Sequence, residues 1–102
     1  MQMNVTDIRI RRTYEEGKLK ALVSVTVDQD LAVHDIKIIE GSERLFVAMP
    51  SRKDDNGVFR DIVHPITMEG RGTLEGLILE EYQKHLSQQA VYNETIQKEQ
   101  WS

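Results

Sequence analysis

Apolar and polar residues alternate along the first forty residues of the chain. In residues 4–12 the isoleucines at positions 8 and 10 alternate with charged neighbours, which is the two-residue period of a half-buried strand. Residues 18–28 repeat the period with β-branched side chains, which favour a strand over a helix, and Gly17 permits the tight turn before them. Residues 31–40 are partly apolar on both faces, as in a central strand. The pattern predicts three consecutive antiparallel strands.

A second pair of strands is predicted around a polar tip at residues 51–56. The apolar run 45–49 ends at Pro50, which cannot donate a hydrogen bond to a ladder. The dipeptide Asn56-Gly57 readily adopts the positive φ angles of a tight hairpin turn, and residues 58–64 return as a fifth strand. Short connections between all these strands predict an antiparallel meander of about five strands.

The apolar period changes to that of a helix after the connector at residues 67–72. Thr73 is predicted as the N-cap, and the apolar side of this helix is expected to lie on the sheet. This side comprises Leu74, Leu77, Ile78, Tyr82 and either His85 or Leu86. The fold class is therefore α+β, with one or two C-terminal helices behind the sheet. Residues 1–87 are expected to form a single domain, and residues 88–102 either a polar, acidic tail or a second short helix.

Four stretches of the chain, taken together, resemble the sequences of one known protein family. They are residues 5–12, residues 34–41, Leu-Phe-Val-Ala-Met-Pro-Ser at 45–51, and Phe-Arg-Asp-Ile-Val-His-Pro-Ile at 59–66. Together they resemble the stage V sporulation protein G family, SpoVG, also called septation regulators, over roughly residues 3–82. The resemblance implies a small, homodimeric bacterial regulator that binds nucleic acid.

The same resemblance bears on individual residues. It implies that the basic pair Arg52 and Lys53, and an arginine near Arg71, contact nucleic acid. The chain departs from the family at the turn, where a sequence similar to Thr-Pro-Asp-Gly is replaced by Asp-Asp-Asn-Gly at residues 54–57. The added acid beside the basic pair would weaken binding or change its sequence preference.

Composition and charge narrow the class of protein. With 102 residues, 39% hydrophobic and 29% charged, the chain is expected to be a soluble single domain. It shows no signal peptide, no apolar run that would span a membrane and no cysteine, so a cytoplasmic protein without disulfides is expected. Residues 1–60 carry ten basic and ten acidic side chains, whereas residues 61–102 carry three and seven. The net charge of −4 therefore restricts any anion-binding surface to a local one.

Basic residues near predicted turns are the candidates for contact with nucleic acid. Arg52 and Lys53 at the predicted hairpin tip would bind phosphates, although the adjacent acids Asp54 and Asp55 could neutralise them, and a solvated turn is the plain alternative. Arg71, between two glycines ahead of the predicted helix, would lie beside free backbone N–H groups that suit a phosphate.

Two further observations affect the extent of this surface. Arg9 and Arg11 would either extend it or simply form the solvent face of the first strand. The helix surface is acidic at Glu75, Glu80 and Glu81, which argues against a helix that reads base edges in the major groove. Backbone contacts made from loops fit these charges better.

The histidines raise a weaker hypothesis of an enzyme or a metal site. His34 and Asp35 could form such a site with Asp61 and His64. However, Asp61 and His64 would point to opposite faces of one strand, and the spacing provides no third metal ligand. The sequence also has no nucleophile near these residues and no glycine-rich phosphate loop. Buried, structural histidines are therefore expected, with Phe46 and Phe59 in the core. The chain is predicted not to be an enzyme and to use no cofactor, metal or small-molecule substrate.

The predicted function is that of a homodimeric regulator that binds double-stranded DNA or RNA. A helix that covers only part of a sheet leaves apolar surface and open edges, which favours association by edge pairing or by exchange of C-terminal helices. The alternative is a protein-interaction module that recruits a partner through the sheet edge and the acidic C-terminal helices, and the net acidity favours it. Roles in sporulation and septation are implied by the resemblance alone.

Overall fold

The elements of the chain form two sheets and one helix. The computed structural model describes residues 4–101, and their side chains over residues 4–90. The main sheet is antiparallel, in the order β1 (Val5–Thr13), β2 (Leu19–Val27), β3 (Leu31–Glu40) and β4 (Leu45–Ala48). A separate two-stranded sheet contains β5 (Ser51–Lys53) and β6 (Phe59–Asp61), and the helix α1 (Met68–Trp101) follows. The predicted α+β class is confirmed.

The core lies between one face of the main sheet and α1. Leu74, Ile78 and Tyr82 recur every fourth residue and therefore share one side of the helix. Because α1 lies against β1 and β4, the two outer strands, it crosses the whole sheet. The buried apolar side chains are Ala21, Val23, Val25, Ile36, Ile38, Val47, Met49, Leu74, Ile78 and Tyr82.

The meander is confirmed for its first four strands, and the predicted fifth strand belongs to the second sheet. Residues 58–64 contribute only the short β6, which pairs with β5, a segment that was predicted as part of a loop. Pro50 accounts for the division, because it cannot donate to a continuing ladder. Its carbonyl instead accepts a hydrogen bond from the Ile62 N–H at 2.8 Å, which closes the base of the β5–β6 hairpin.

The helix begins at Met68, five residues before the predicted cap at Thr73. Thr67 is the cap: its Oγ1 accepts a hydrogen bond from the Gly70 N–H at 2.9 Å, and its carbonyl accepts one from the Arg71 N–H at 3.0 Å. The prediction failed here because the glycines of this segment have low helix propensity, and capping together with burial of the following turns outweighs it.

A single helix runs to Trp101 where one or two were predicted. Its 34 residues extend about 51 Å, close to the 57 Å length of the molecule. The domain boundary at residue 87 stays a prediction, since the helix passes it without a break. Within the described residues, no helix combines the length and the apolar composition that crossing a membrane requires.

Candidate nucleic-acid interface

The β5–β6 hairpin carries the first predicted pair of cations. Arg52 lies opposite Arg60, and Lys53 lies opposite Phe59. Because successive side chains of a strand point to opposite faces, Arg52 and Lys53 project from opposite sides of the hairpin and belong to a strand, not to its loop. Arg60 was missed from sequence, although counting outward from the turn places it beside Arg52.

The tip of the hairpin is a turn over residues 54–57. The Gly57 N–H donates to the Asp54 carbonyl at 3.0 Å, and the Asp54 N–H donates to the Val58 carbonyl at 2.9 Å. Gly57 has a φ of +82°, whereas Asn56 is not among the described residues with positive φ. This is the pattern of a type I turn followed by a left-handed glycine, so only one residue of the Asn-Gly pair takes the predicted conformation.

The carboxylate of Asp54 is engaged within this turn. Its Oδ2 accepts a hydrogen bond from Arg60 Nε at 2.8 Å, and its Oδ1 accepts hydrogen bonds from the Asn56 and Val58 N–H groups, each at 2.9 Å. The bond from Arg60, followed by the backbone bond from Val58, holds the pKa of the Asp54 carboxyl below its ordinary value, because such bonds favour the charged form. The sequence suggested that Asp54 could neutralise Arg52 and Lys53. In the structure its carboxylate is bound to Arg60 and to the turn instead.

Arg52 and Lys53 remain available as cations. Both are exposed, and among the side chains of residues 4–90 no carboxylate forms an ion pair with either. Lys53 Nζ lies 5.8 Å from the centre of the Phe59 ring, within the range of a cation–π contact. The Phe59 side chain is 69% exposed, so its predicted place in the core is wrong.

Arg71 lies inside α1, not ahead of it. Its backbone N–H is bonded to the Thr67 carbonyl, and the first turn contains the acidic Glu69, so the predicted phosphate cradle around Arg71 is absent. Its side chain lines a small cleft together with Glu75. The Glu75 Oε1 atom is buried without a hydrogen-bond partner and lies 3.9 Å from Arg44 Nη2. Arg71 thus has an acid beside it.

Arg9 and Arg11 lie on the face of the main sheet that points away from α1. Arg9 Nε donates to Asp7 Oδ2 at 2.9 Å, and this bond raises the pKa of Arg9. Arg11 Nε donates to Ser24 Oγ at 3.2 Å, and Ser24 Oγ lies 2.9 Å from His34 Nδ1. The Arg11 and His34 side chains cover Ser24. It is 7% exposed although it lies on the face that points away from α1, which we call the open face.

The open face holds further cations that sequence reasoning weighed little or missed. Arg12 and Lys37 both oppose Leu22 across the ladders of β2, so their side chains share one side. The Arg12 guanidinium lies 5.2 Å from the centre of the Tyr14 ring. Lys37 was missed, although the alternation of β3 contained it. Phe46 also lies on this face, 38% exposed where burial was expected.

The predicted cations therefore occupy three places within one protomer. Arg52 and Lys53 belong to the hairpin, and Arg71 belongs to α1, which covers the core face of the main sheet. Arg9 and Arg11 lie on the opposite face of that sheet. The structure places the two residues of each pair in one element, and it separates Arg9 and Arg11 from Arg71 by the thickness of the main sheet.

The two histidines singled out from sequence are far less buried than expected. His34 is exposed in β3, and His64 is exposed in the connection after β6, where its Nδ1 lies 3.0 Å from the Pro65 carbonyl oxygen. They therefore belong to different parts of the fold. Within the residues whose side chains are described, no three His, Asp or Glu residues are grouped to hold a metal ion.

Comparison with known proteins identifies the family. The SpoVG family model matches residues 3–84. A protein named "Putative septation protein SpoVG" from Thermoanaerobacter sp. (strain X514) is 53% identical over 92 residues, which is 90% of this chain and 100% of the relative. The chain belongs to the SpoVG family. A protein of the same name from Clostridium beijerinckii is 53% identical to this chain, over 87% of this chain and 98% of the relative. Another, from Caldanaerobacter subterraneus subsp. tengcongensis, is 55% identical, over 80% of this chain and 90% of the relative.

The SpoVG match covers a defined part of the structure. It contains both sheets, the hairpin cations and the part of α1 that packs on the core, and it ends at residue 84. The names of the relatives connect them with septation.

Proposed function

We propose that this SpoVG-family chain is a regulatory protein that binds the phosphate backbone of double-stranded DNA or of RNA through its β5–β6 hairpin. The names of its relatives support a role connected with septation, and the hairpin supplies the chemistry. The cations neutralise phosphates and fix the position of the nucleic acid on the protein.

The observation that carries this proposal is the state of the hairpin cations. Arg52 and Lys53 are exposed and have no carboxylate partner among the described side chains. Asp54, the acid next to them, is held instead by Arg60 and by the backbone of the turn. A guanidinium and an ammonium group in this state are free to make charge-assisted hydrogen bonds to phosphate oxygens.

Two protomers would make this contact strong enough to be useful. A single exposed ion pair contributes little, whereas two hairpins held at a fixed separation reinforce one another through effective concentration. Arg52 and Lys53 from both protomers would neutralise about four phosphates, which gives a slope of about −3.6 for the logarithm of the association constant against that of salt. A steeper slope would indicate that Arg71, Arg9 and Arg11 contribute as well.

The test is a fluorescence-anisotropy titration of a labelled duplex, and of an RNA of the same sequence, at several salt concentrations. The natural chain is expected to bind with strong salt dependence. The double variant Arg52→Glu/Lys53→Glu is expected to lose about 100-fold or more in affinity, with an unchanged circular dichroism spectrum. An excess of unrelated duplex then decides whether any base sequence is preferred.

The matched control is Lys18→Glu/Lys84→Glu. It changes the net charge by the same amount at two exposed cations outside the hairpin, and it is expected to alter affinity only a few-fold. The proposal fails when the natural chain shows no salt-sensitive binding, or when this control loses as much affinity as the hairpin variant.

A protein-interaction module is the second candidate function. The length of α1 favours it, because the exposed side chains at residues 86–90 lie beyond Tyr82, the last buried core residue among the side chains that the structure describes. This candidate predicts that a partner protein co-purifies in a manner that depends on residues 74–101, without salt-sensitive retention on immobilised DNA.

A further inference from the structure

The open face of the main sheet carries a group of apolar side chains that the core does not use. Ile39 follows the buried Ile38 in β3, so its side chain points to the open face. Its partners in the two neighbouring strands share that face, and so does Leu22, which follows the buried Ala21. We call these four side chains the apolar patch: Leu19, Leu22, Ile39 and Phe46. Among the described residues, none of the four belongs to the core or to the side chains packed against it.

Two cations flank this patch in a row that crosses the sheet. Arg12 in β1, Leu22 in β2 and Lys37 in β3 lie opposite one another in the ladder. Because neighbouring strands are about 4.8 Å apart, the backbones of Arg12 and Lys37 are roughly 10 Å apart, with Leu22 between them. Both cations are exposed, and among the side chains of residues 4–90 neither forms an ion pair. An apolar side chain therefore lies between two charges that are available to a ligand.

A third cation is held in place by a buried hydroxyl group. Ser24 is 7% exposed, and its Oγ accepts a hydrogen bond from Arg11 Nε at 3.2 Å. Opposite Ser24, β3 forms a bulge that places two residues, His34 and Asp35, against one. The bulge brings His34 Nδ1 to 2.9 Å from the same hydroxyl. The described residues engage no other nitrogen of the Arg11 guanidinium, so its Nη groups remain for a carboxylate, which arginine binds with two parallel hydrogen bonds.

We propose that the open face binds an acidic segment of a partner protein, with apolar side chains on the apolar patch and carboxylates on Arg11, Arg12 and Lys37. This interaction goes beyond the proposed function, because it uses neither of the hairpin cations Arg52 and Lys53 and takes a different class of ligand.

Charge complementarity carries the inference. The open face and its bulge hold more cations than acids: Arg9, Arg11, Arg12 and Lys37 against Asp7 and Asp35. Asp7 is already bonded to Arg9 at 2.9 Å. The face is thus locally positive on a chain whose net charge is −4. A positive surface selects a negative partner and speeds its encounter, and apolar contact at the centre adds affinity that charge alone does not supply.

The make-up of the patch favours a peptide over other occupants. Unpaired bases bind by stacking on aromatic rings, but only Phe46 in the patch is aromatic, and the Arg12 guanidinium lies 5.2 Å from the centre of the Tyr14 ring, over the other ring of this region. A second copy of this chain would bring its own cations against these, and like charges across an interface are unfavourable. Leu22 and Ile39 are half-buried, so they do not project far enough to enter a lipid bilayer.

The test is a fluorescence-anisotropy titration with a labelled peptide in which a centre of leucine and phenylalanine is flanked on both sides by glutamates. The natural chain is expected to bind this peptide. It is expected to bind at least about tenfold more weakly a peptide with serine in place of the apolar residues, because the patch then stays uncovered. A peptide with lysine in place of glutamate is expected not to bind. Equal affinity for all three peptides, or no binding of the first, overturns the inference.

The variant of the open face is Arg12→Glu/Lys37→Glu. It is expected to lower the affinity for the acidic peptide at least about tenfold, with an unchanged circular dichroism spectrum. The matched control is Arg52→Glu/Lys53→Glu, which makes the same change of charge on the hairpin and is expected to alter peptide affinity only a few-fold. Equal losses in the two variants would mean attraction by net charge alone and would overturn the inference.

A change at Phe46 tests the apolar patch without altering the charge. Phe46→Ala is expected to lower peptide affinity several-fold, because Phe46 is 38% exposed on the open face. Phe59→Ala is its control, since it removes an aromatic side chain that is 69% exposed on the hairpin, and it is expected to leave peptide affinity unchanged. This pair decides the matter when the double charge reversal does not fold, and equal affinities in the pair count against the open face.

The outcomes separate this inference from the proposed function. Duplex affinity is expected to stay within a few-fold in Arg12→Glu/Lys37→Glu. A chain that binds the peptide on the open face but binds no duplex overturns the proposed function and leaves this inference standing. A single-stranded oligonucleotide that binds more tightly than the peptide and loses its affinity in Arg12→Glu/Lys37→Glu assigns the open face to nucleic acid and overturns the inference. Self-association of the natural chain that this variant abolishes overturns it as well.

Discussion

The main sheet and the β5–β6 hairpin differ in where their apolar side chains lie. In the main sheet Val23, Ile36 and Ile38 are buried against α1, whereas Phe59 of the hairpin is 69% exposed and Ile66 of the following segment is 89% exposed. The main sheet is held by the core that it forms together with α1. The hairpin is held by the ladder between β5 and β6, by polar contacts at its tip and by a hydrogen bond at its base. The comparison teaches that burial against α1 stabilises one region, whereas the other keeps its apolar and charged side chains exposed.

The limited size of the core is one physical reason for this division. A domain of about 100 residues buries a limited fraction of its surface, and here the four-stranded sheet and one face of α1 use the available core residues. The hairpin lies outside that core, so its conformation depends on the turn and on whatever covers it. Its residues are therefore free to serve binding, which is common for loops and hairpins displayed by a rigid scaffold.

The largest expected difference in stability is between two variants in which one isoleucine of each region is replaced by alanine. Ile78→Ala removes a fully buried side chain from the core and is expected to lower the free energy of unfolding by about 2–5 kcal/mol at any protein concentration. Ile66→Ala removes an 89% exposed side chain and is expected to change it by less than about 0.5 kcal/mol in dilute protein. Urea denaturation followed by circular dichroism measures both values. Equal losses of stability for the two variants would contradict the division into two regions.

A smaller effect is expected at the border between the regions, where α1 begins. Thr67→Ala removes the hydrogen bond from the Gly70 N–H and is expected to cost about 0.5–2 kcal/mol of stability. Thr73→Ala is the matched control, because Thr73 lies within the helix and alanine has the higher helix propensity. Thermal unfolding is expected to show a lower midpoint for the first variant and an equal or higher one for the second. The reverse order would restore Thr73 as the start of the helix.

Sequence reasoning succeeded where burial on one face imposes a period. The bounds of β3 were predicted correctly, and β1 and β2 to within one residue, because alternating side chains there record one covered face. It failed for Phe59, because the alternation of a short strand does not reveal which sheet it joins or whether anything covers it. The start of α1 was missed because the glycines of residues 70–72 outweighed the capping side chain at Thr67.

The sequence predicted which residues of the hairpin are candidate site residues, but not how their side chains are oriented and paired. Residue type alone identified Arg52 and Lys53, whereas their projection from opposite faces follows from the register of β5 and β6. The pairing of Asp54 with Arg60 depends on a turn that brings residues six apart together. Proximity in sequence therefore assigned the aspartate to the wrong cations.

The smallest expected effect is a local change at the hairpin tip when Asp54 is protonated at low pH. The bond from Arg60 and those from the turn backbone hold the pKa of Asp54 below its ordinary value of 3.8. A carboxylate with a lowered folded pKa stabilises the tip fully at pH values above its ordinary pKa, and this contribution is lost as the pH falls from there through the lowered pKa. Amide chemical shifts of Asn56 and Val58, followed by NMR, are expected to report a midpoint below 3.8.

The same titration separates the two regions of the molecule. The amides of Val23 and Ile36 lie in an apolar core and are expected to stay constant while those of Asn56 and Val58 move. Asp54→Asn is the control, since it keeps the shape of the side chain and removes its charge, and it is expected to abolish the shift changes at the tip. A midpoint at or above 3.8, or a simultaneous change at Val23, would mean that the tip is not held by this carboxylate independently of the main sheet.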